Sequence, residues 1–324
     1  MRIITFAQAI CEGILEEMLR DERIITYGED IAKQGGIFGT YKCLLEHEEI
    51  RERVFDTPIS EEVIYGSALG AAIAGLVPIV EFHFADFLFT GITAITNQIM
   101  KLRYMTGGQV SLPIVLRGPD GVARSAAAQH SQSIETIFMH VPGIKVVVPS
   151  TPYDAKGLIK ASIRDPDPVI FFEHKSLYKI KGPVPEEEYV IPLGKADIKR
   201  EGEDITIIAT ARMVHEALKA VEILKNDDIS VEVVDLRTLV PWDKETVLKS
   251  VKKTGGALIV HETWKRAGWG AEIAATINEE LFGQLEIPVK RIGARNVPHP
   301  FSPPLERFVV PNAEDIVKEL KSLF

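Results

Sequence analysis

Hydrophobic positions in this chain follow two alternating periods. Short runs rich in valine and isoleucine give way to stretches where apolar residues return every three to four positions, which predicts strand then helix, repeated. In the first half the runs at 23–27, 77–82, 113–117, 145–148 and 169–173 read as strands. Helices are predicted after residue 5, over 97–104, up to about 140, and over 154–163. In the second half, strands at 205–209, 231–235, 257–260 and 289–292 alternate with helices at 213–224, 244–252 and 271–281, and a last helix starts at 313. Strands this apolar are buried on both faces, so the pattern predicts an α/β fold with parallel sheets covered by helices. The pattern loosens from 175 to 204, and Gly182-Pro183-Val184-Pro185-Glu186-Glu187-Glu188 reads as an exposed linker. That places domains at 1–185 and 186–324, and 324 residues suit two domains better than one.

One stretch departs from ordinary amphipathic patterning. Phe55-Asp56-Thr57-Pro58-Ile59-Ser60-Glu61-Glu62 leads into a run of small and apolar residues containing Gly66, Gly70 and Gly75. Ser60 is the expected N-cap, with both glutamates in the first turn, where the helix dipole accepts negative charge. A helix apolar on every face is expected to be buried. A carboxyl at its head then stands at the mouth of a dry interior, suited to acid–base work. The other reading leaves both glutamates in water, complementing the dipole. At the N-terminus, Thr5-Phe6-Ala7-Gln8 predicts a capping box.

Composition narrows the class. Hydrophobic residues make up 46% and charged residues 26%, the balance of a globular protein, and the net charge is -9. An acidic chain is a poor partner for nucleic acid or an anionic membrane surface, and no apolar run is long enough to span a bilayer. Cys11 and Cys43 are the only cysteines, with no CxxC, which points to free thiols in a reducing cytoplasm and no structural zinc.

Further candidate groups lie just past strands, where open α/β sheets place ligand contacts. Glu29 follows the first strand, in what could equally be a simple turn. The aromatic cluster His83-Phe84-Ala85-Asp86-Phe87-Leu88-Phe89 could pack in the core or stack on a flat heterocycle. His130 sits in a loop of small polar residues, outside any apolar periodicity, which marks it as a functional candidate. The turn 163–168 could be an ordinary proline-rich turn or could hold a cation. No GxGxxG fingerprint occurs, which disfavours a nicotinamide-dependent oxidoreductase. His261-Glu262 is the one comparable feature of the second half, and Pro298 to Pro304 reads as an extended segment.

Taken together, Asp56-Thr57-Pro58-Ile59-Ser60-Glu61, Gln129-His130-Ser131-Gln132, Pro149-Ser150-Thr151-Pro152-Tyr153-Asp154-Ala155-Lys156-Gly157, Leu236-Arg237-Thr238-Leu239-Val240-Pro241 and Phe301-Ser302-Pro303-Pro304-Leu305-Glu306 carry a family resemblance. The chain resembles the beta subunit of the thiamine-diphosphate-dependent decarboxylating component of 2-oxo acid dehydrogenase complexes, of pyruvate or branched-chain type. The acetoin dehydrogenase beta subunit is also similar, notably over Pro192 to Arg200. The resemblance implies a transketolase-like fold: a parallel-sheet pyrimidine-binding domain, then a smaller transketolase C-terminal α/β domain. It implies that Glu61 shares a proton with a ring nitrogen of the cofactor's aminopyrimidine, that Phe87 packs beside that ring, and that Glu29 lies near the cofactor. It makes His130 the active-site histidine, steering intermediates and acyl transfer. Ile114, Ser162, Ile163, Asp165 and Asp167 match a structural potassium site of some relatives, held mostly by main-chain oxygens.

The family's diphosphate-and-magnesium motif, Gly-Asp-Gly, does not occur here. The resemblance gives that task to an alpha subunit, so the site is expected at an interface within an alpha2–beta2 heterotetramer. The acyl group would then pass to the lipoyl domain of the acyltransferase component, around whose core the complex assembles. The rival expectations are acetoin cleavage with the same cofactor and a non-catalytic assembly subunit. Arg124 and Trp269 depart from the usual family pattern. Arg124 could bias substrate choice; Trp269 has no reading.

Overall fold

The computed structural model describes residues 1–324. Its first helix, Phe6–Arg20, starts at the predicted capping box: Thr5 Oγ1 accepts from the Gln8 amide at 3.2 Å, and Gln8 Oε1 accepts from the Thr5 amide at 2.9 Å. Predicted strands and helices recur with ends shifted by a few residues.

Two main sheets result. The larger runs in spatial order Thr238–Val240, Lys145–Val147, Val169–His174, Val115–Asp120, Val77–Glu81, Ile24–Gly28, Val54–Asp56. Six of these strands are parallel, and Thr238–Val240 pairs antiparallel at one edge. The smaller sheet runs Lys290–Ala294, Ala257–Trp264, Ile205–Ala209, Val231–Asp235, Asp197–Arg200, with the last strand antiparallel. The architecture is the expected transketolase-like pair of α/β units. The two antiparallel edge strands, of three and four residues, are too short to show a period in sequence.

Four expectations are corrected. Gly182 to Val184 is not linker: Lys181–Val184 pairs antiparallel with Arg2–Thr5, and Val184 is buried. The extended segment ends at Ser302, since Pro303–Val309 forms a helix with its prolines in the first turn, where no amide donor is missed. Cys11 and Cys43 are joined in a disulfide, not free. Helix packing brings two thiols separated by 32 positions to a Cα–Cα distance of 6.1 Å, an approach that spacing alone does not reveal.

The fourth concerns the helix Glu61–Ile73. Ile64, Tyr65, Ala68 and Ala72 face the core, but Glu62, Val63, Gly66, Gly70 and Ile73 are exposed. Side chains added at Gly66, Gly70 or Gly75 would meet nothing within 4 Å. This apolar, small-residue face is therefore uncovered within the chain. No helix is long and apolar enough to cross a membrane.

Candidate active site

Parallel strands open all their C-terminal ends onto one edge of the sheet, the usual place for ligand groups. Here that edge receives Glu29 after Ile24–Gly28, Glu61 after Val54–Asp56, and His83 after Val77–Glu81. It also receives the loop after Val115–Asp120, which carries His130, and Lys175 after Val169–His174.

Glu61 is the first residue of its helix. Ser60 does not cap it, for its side chain makes no bond to the helix. The Glu61 carboxylate is half-buried and has no hydrogen-bond or ion-pair partner in the chain. Its charge is felt by its neighbours. Burial raises the Glu29 carboxyl, and the negative charges of Glu61 and Asp30 raise it further. Burial lowers the His83 imidazole, opposed by Asp30 and Glu61 and reinforced by His130. His83 Nδ1 lies 3.9 Å from Glu29 and 4.0 Å from Glu81, beyond hydrogen-bond reach, and is buried without a partner.

Glu81 forms the floor. It is fully buried, and burial pushes its carboxyl up to about 8. Arg117 opposes at 3.8 Å, while Glu173 and Glu29 add to the rise. Arg117 is itself fully buried and committed to Glu173 through a two-pronged pair.

Aromatic rings form the other wall. Phe84 meets the His130 ring edge-on at 4.7 Å between centroids, and Phe87 meets it at 5.3 Å. An unpaired carboxylate, a buried unpaired imidazole nitrogen and two phenyl rings suit a flat, nitrogen-bearing heterocycle. The structure thus brings Glu61, Glu29, Phe87 and His130 together. Sequence reasoning placed His83 in an aromatic cluster without making it a site residue, and missed Lys175, which donates to the His130 main-chain oxygen. The available signal was position: each lies within two residues of a strand's C-terminal end.

The potassium candidates lie elsewhere. Ile114, Asp165 and Asp167 sit by the N-terminal ends of Val115–Asp120 and Val169–His174, roughly 20 Å of strand away from the site. Lys145 Nζ lies 2.5 Å from Asp165, and Arg103 donates to Asp167 at 2.6 Å, so neither carboxylate is free for a cation. The Ile114 carbonyl already accepts from the Val169 amide at 2.9 Å.

Glu262 serves the junction between the domains, while His261 is packed inside the C-terminal domain. His261 is fully buried, with Nδ1 2.9 Å from the Thr263 carbonyl, and burial lowers it to about 4. Burial alone would raise Glu262, but His174 at 2.9 Å, Arg212 at 3.2 Å and the Val122 amide hold it down at about 2. Trp269 is buried and donates to Glu135 at 3.1 Å, which gives its bulk a structural use. Arg124 is exposed, with φ of 57°.

Comparison with known proteins agrees with the two-domain architecture. Residues 3–181 match the family described as transketolase, pyrimidine binding domain, and residues 194–316 match transketolase, C-terminal domain. A solved structure titled as a split-gene transketolase, inactive beta4 tetramer, superposes with a TM-score of 0.77, covering 99% of this chain and 98% of its own at 23% identity. The fold is that of the transketolase class. The 2-oxoisovalerate dehydrogenase subunit beta of Bacillus subtilis is 45% identical, covering 100% of this chain and 99% of its own length. The pyruvate dehydrogenase E1 component subunit beta of the same organism is 43% identical over 100% and 99%. The beta subunit of acetoin:2,6-dichlorophenolindophenol oxidoreductase from Cupriavidus necator is 44% identical over 97% and 96%. Within the transketolase class, the chain belongs to the family of beta subunits that includes those of 2-oxo acid dehydrogenases and of acetoin:2,6-dichlorophenolindophenol oxidoreductases.

Proposed function

We propose that this chain, its two domains divided near residue 185, is the cofactor-activating half of a thiamine-diphosphate site. Its reaction is oxidative decarboxylation of pyruvate or a branched-chain 2-oxo acid. The unpaired Glu61 carboxylate, beside Glu29, His83, Phe87 and His130, carries the reading. Bound thiamine diphosphate supplies a nucleophilic carbon and a sink for the electrons left when carbon dioxide departs. Glu61 holds a proton at the aminopyrimidine ring nitrogen. Phe87 gives that ring an apolar face and excludes water. Glu29 stands beside Glu61 at the cofactor, its carboxyl raised by burial and by the Glu61 charge. His130 moves a proton at the substrate oxygen as the acyl group leaves for a lipoyl domain.

The diphosphate and magnesium fall to an alpha subunit bearing Gly-Asp-Gly. The uncovered face of the Glu61–Ile73 helix supports such a partner, because an exposed row of Val63, Gly66, Gly70 and Ile73 suits close packing against a second chain. An alpha2–beta2 assembly docked on an acyltransferase core is the form proposed. A potassium ion rests on main-chain oxygens of Ile114, Ser162, Ile163, Asp165 and Asp167, the two aspartate carboxylates being taken by Lys145 and Arg103. A melting temperature higher in potassium than in sodium at equal ionic strength would support it, and equal values would remove it.

The test is Glu61→Gln in the reconstituted complex, with a dye acceptor and pyruvate, branched 2-oxo acids and acetoin as substrates. Turnover falls about 10²- to 10⁴-fold with assembly intact. Unchanged turnover makes the chain a scaffold. The 44% identity to the beta subunit of an acetoin:2,6-dichlorophenolindophenol oxidoreductase gives the second reading, and preference for acetoin over every 2-oxo acid would establish it.

A further inference from the structure

We propose that Lys175 is a positioning residue for His130, and that the C-terminal domain shares in setting the His130 loop through Glu262 and Glu306. This rests on the reading of His130 as an active-site residue.

The loop from Gly121 to Gln132 is an unfavourable shape for its sequence. Arg124, Ser125 and Ala127 hold φ of 57°, 58° and 61°, the left-handed region that residues bearing a Cβ avoid. Such backbone persists only where the surroundings over-determine it. Four side chains do so. Glu262 Oε1 accepts from the Val122 amide at 2.6 Å, and Glu306 Oε2 from the Ser125 amide at 3.1 Å. Asp86 Oδ1 accepts from Gln132 Nε2 at 2.7 Å, and Lys175 Nζ donates to the His130 carbonyl. Two of the four come from the C-terminal domain.

Lys175 acts on His130 twice. It holds the main chain, and its ammonium lies 5.2 Å from the centroid of Phe84, whose ring meets the His130 imidazole at 4.7 Å. One cation therefore fixes both the backbone of the imidazole and the wall it stands against. Lys175 is 7% exposed and forms no ion pair within 4 Å. Burial lowers its ammonium, while Asp120, Asp86, Glu262 and Glu306 favour the charged form. A lysine present merely for surface charge would not be buried at this cost with its head on a carbonyl. Glu262 also takes His174, the residue before Lys175, at 2.9 Å, so the second domain grips both the loop and the base of its clamp.

The experiment compares wild type, Lys175→Met, Lys175→Arg and Glu306→Ala in the reconstituted complex with thiamine diphosphate. Steady-state turnover on pyruvate and 3-methyl-2-oxobutanoate is read alongside histidine-labelled NMR, with His130 assigned by His130→Ala. Lys175→Met lowers kcat about 10- to 100-fold, the usual cost of an ångström-scale misplacement, with KM and cofactor affinity within about twofold. It also shifts and broadens the His130 signal. Lys175→Arg restores both. Wild-type kcat together with an unmoved His130 signal in Lys175→Met overturns the proposal, as does a loss confined to KM and cofactor affinity. Should Lys175→Met fail to assemble, the half-exposed Glu306→Ala decides. A fall of about 3- to 10-fold in kcat with a moved His130 signal supports the loop anchor, and no change in either refutes it. If wild type turns over no substrate, the functional reading has failed, and the NMR comparison still decides the role of Lys175.

Discussion

Replacing Glu81 with glutamine should stabilise the protein, by an amount that grows with pH. Glu81 is sealed beneath His83 with Oε2 unpartnered, and its carboxyl is pushed up to about 8 from an ordinary 4.5. Between those values the unfolded chain releases the proton and the folded chain keeps it. Stability from this group is therefore complete below about 4.5 and is lost as pH rises toward about 8. At about 1.4 kcal/mol per pH unit the interval gives a ceiling of about 5 kcal/mol, reduced by whatever polarisability the interior retains. Glutamine has nearly the shape of the protonated acid and cannot ionise. Arg117 keeps Glu173 as its partner, so the substitution strands no cation. Urea melts of the isolated chain at pH 5, 6, 7 and 8 would follow the difference between wild type and Glu81→Gln. The expected gain is near zero at pH 5 and rises steadily to pH 8. A constant difference across that range, or a variant less stable at pH 8, would show that Glu81 is ionised at neutral pH and that Arg117 depends on it.

Glu262 should behave in the opposite sense. Held at about 2 against an ordinary 4.5, it contributes stability that is present above pH 4.5 and lost as pH falls through about 2, with a ceiling of about 3 kcal/mol. Acid titrations of wild type and Glu262→Gln should therefore converge near pH 2, separate as pH rises to about 4.5, and hold a constant difference above it. At the uncovered helix, Gly66→Leu and Gly70→Leu should stabilise the isolated chain by up to about 1 kcal/mol each through helix propensity, because the added side chains meet open space. The same variants should lose co-purification with the alpha subunit; retention would mean that a different face makes the contact. Cys11→Ala with Cys43→Ala should cost about 3 to 4 kcal/mol, the loop-closure entropy for a 32-residue separation, read by thermal melting of oxidised wild type against the double variant.

Local chemistry was the legible part of this fold. Thr5 and Gln8 placed a helix start because both partners lie within four residues, and the valine-rich runs placed the parallel strands because burial on both faces leaves a mark at every position. Glu61 and His130 could be singled out because each breaks the pattern around it. Ser60 failed as a cap because a correct residue type does not fix its backbone: φ of −162° and ψ of 85° leave its side chain without a helix amide. The helix it precedes read as buried because sequence records apolarity without recording which molecule supplies the cover. His83, Lys175 and the cysteine pair were hidden for a common reason. Each acquires its neighbour, 30 or more residues distant, only when the chain folds: Glu29 beside His83, His130 for Lys175, and Cys43 for Cys11.

The three-residue strand Thr238–Val240 closes the open side of a sheet built by the other half of the chain, pairing with Val146 and Val147. Cutting the gene at residue 185 would leave those valines at the rim of an amino-terminal fragment, offering bare amides and carbonyls to any neighbouring copy. Such a fragment is expected to stick to itself. Recombining halves from related subunits therefore calls for a crossover that carries this short strand along with its sheet.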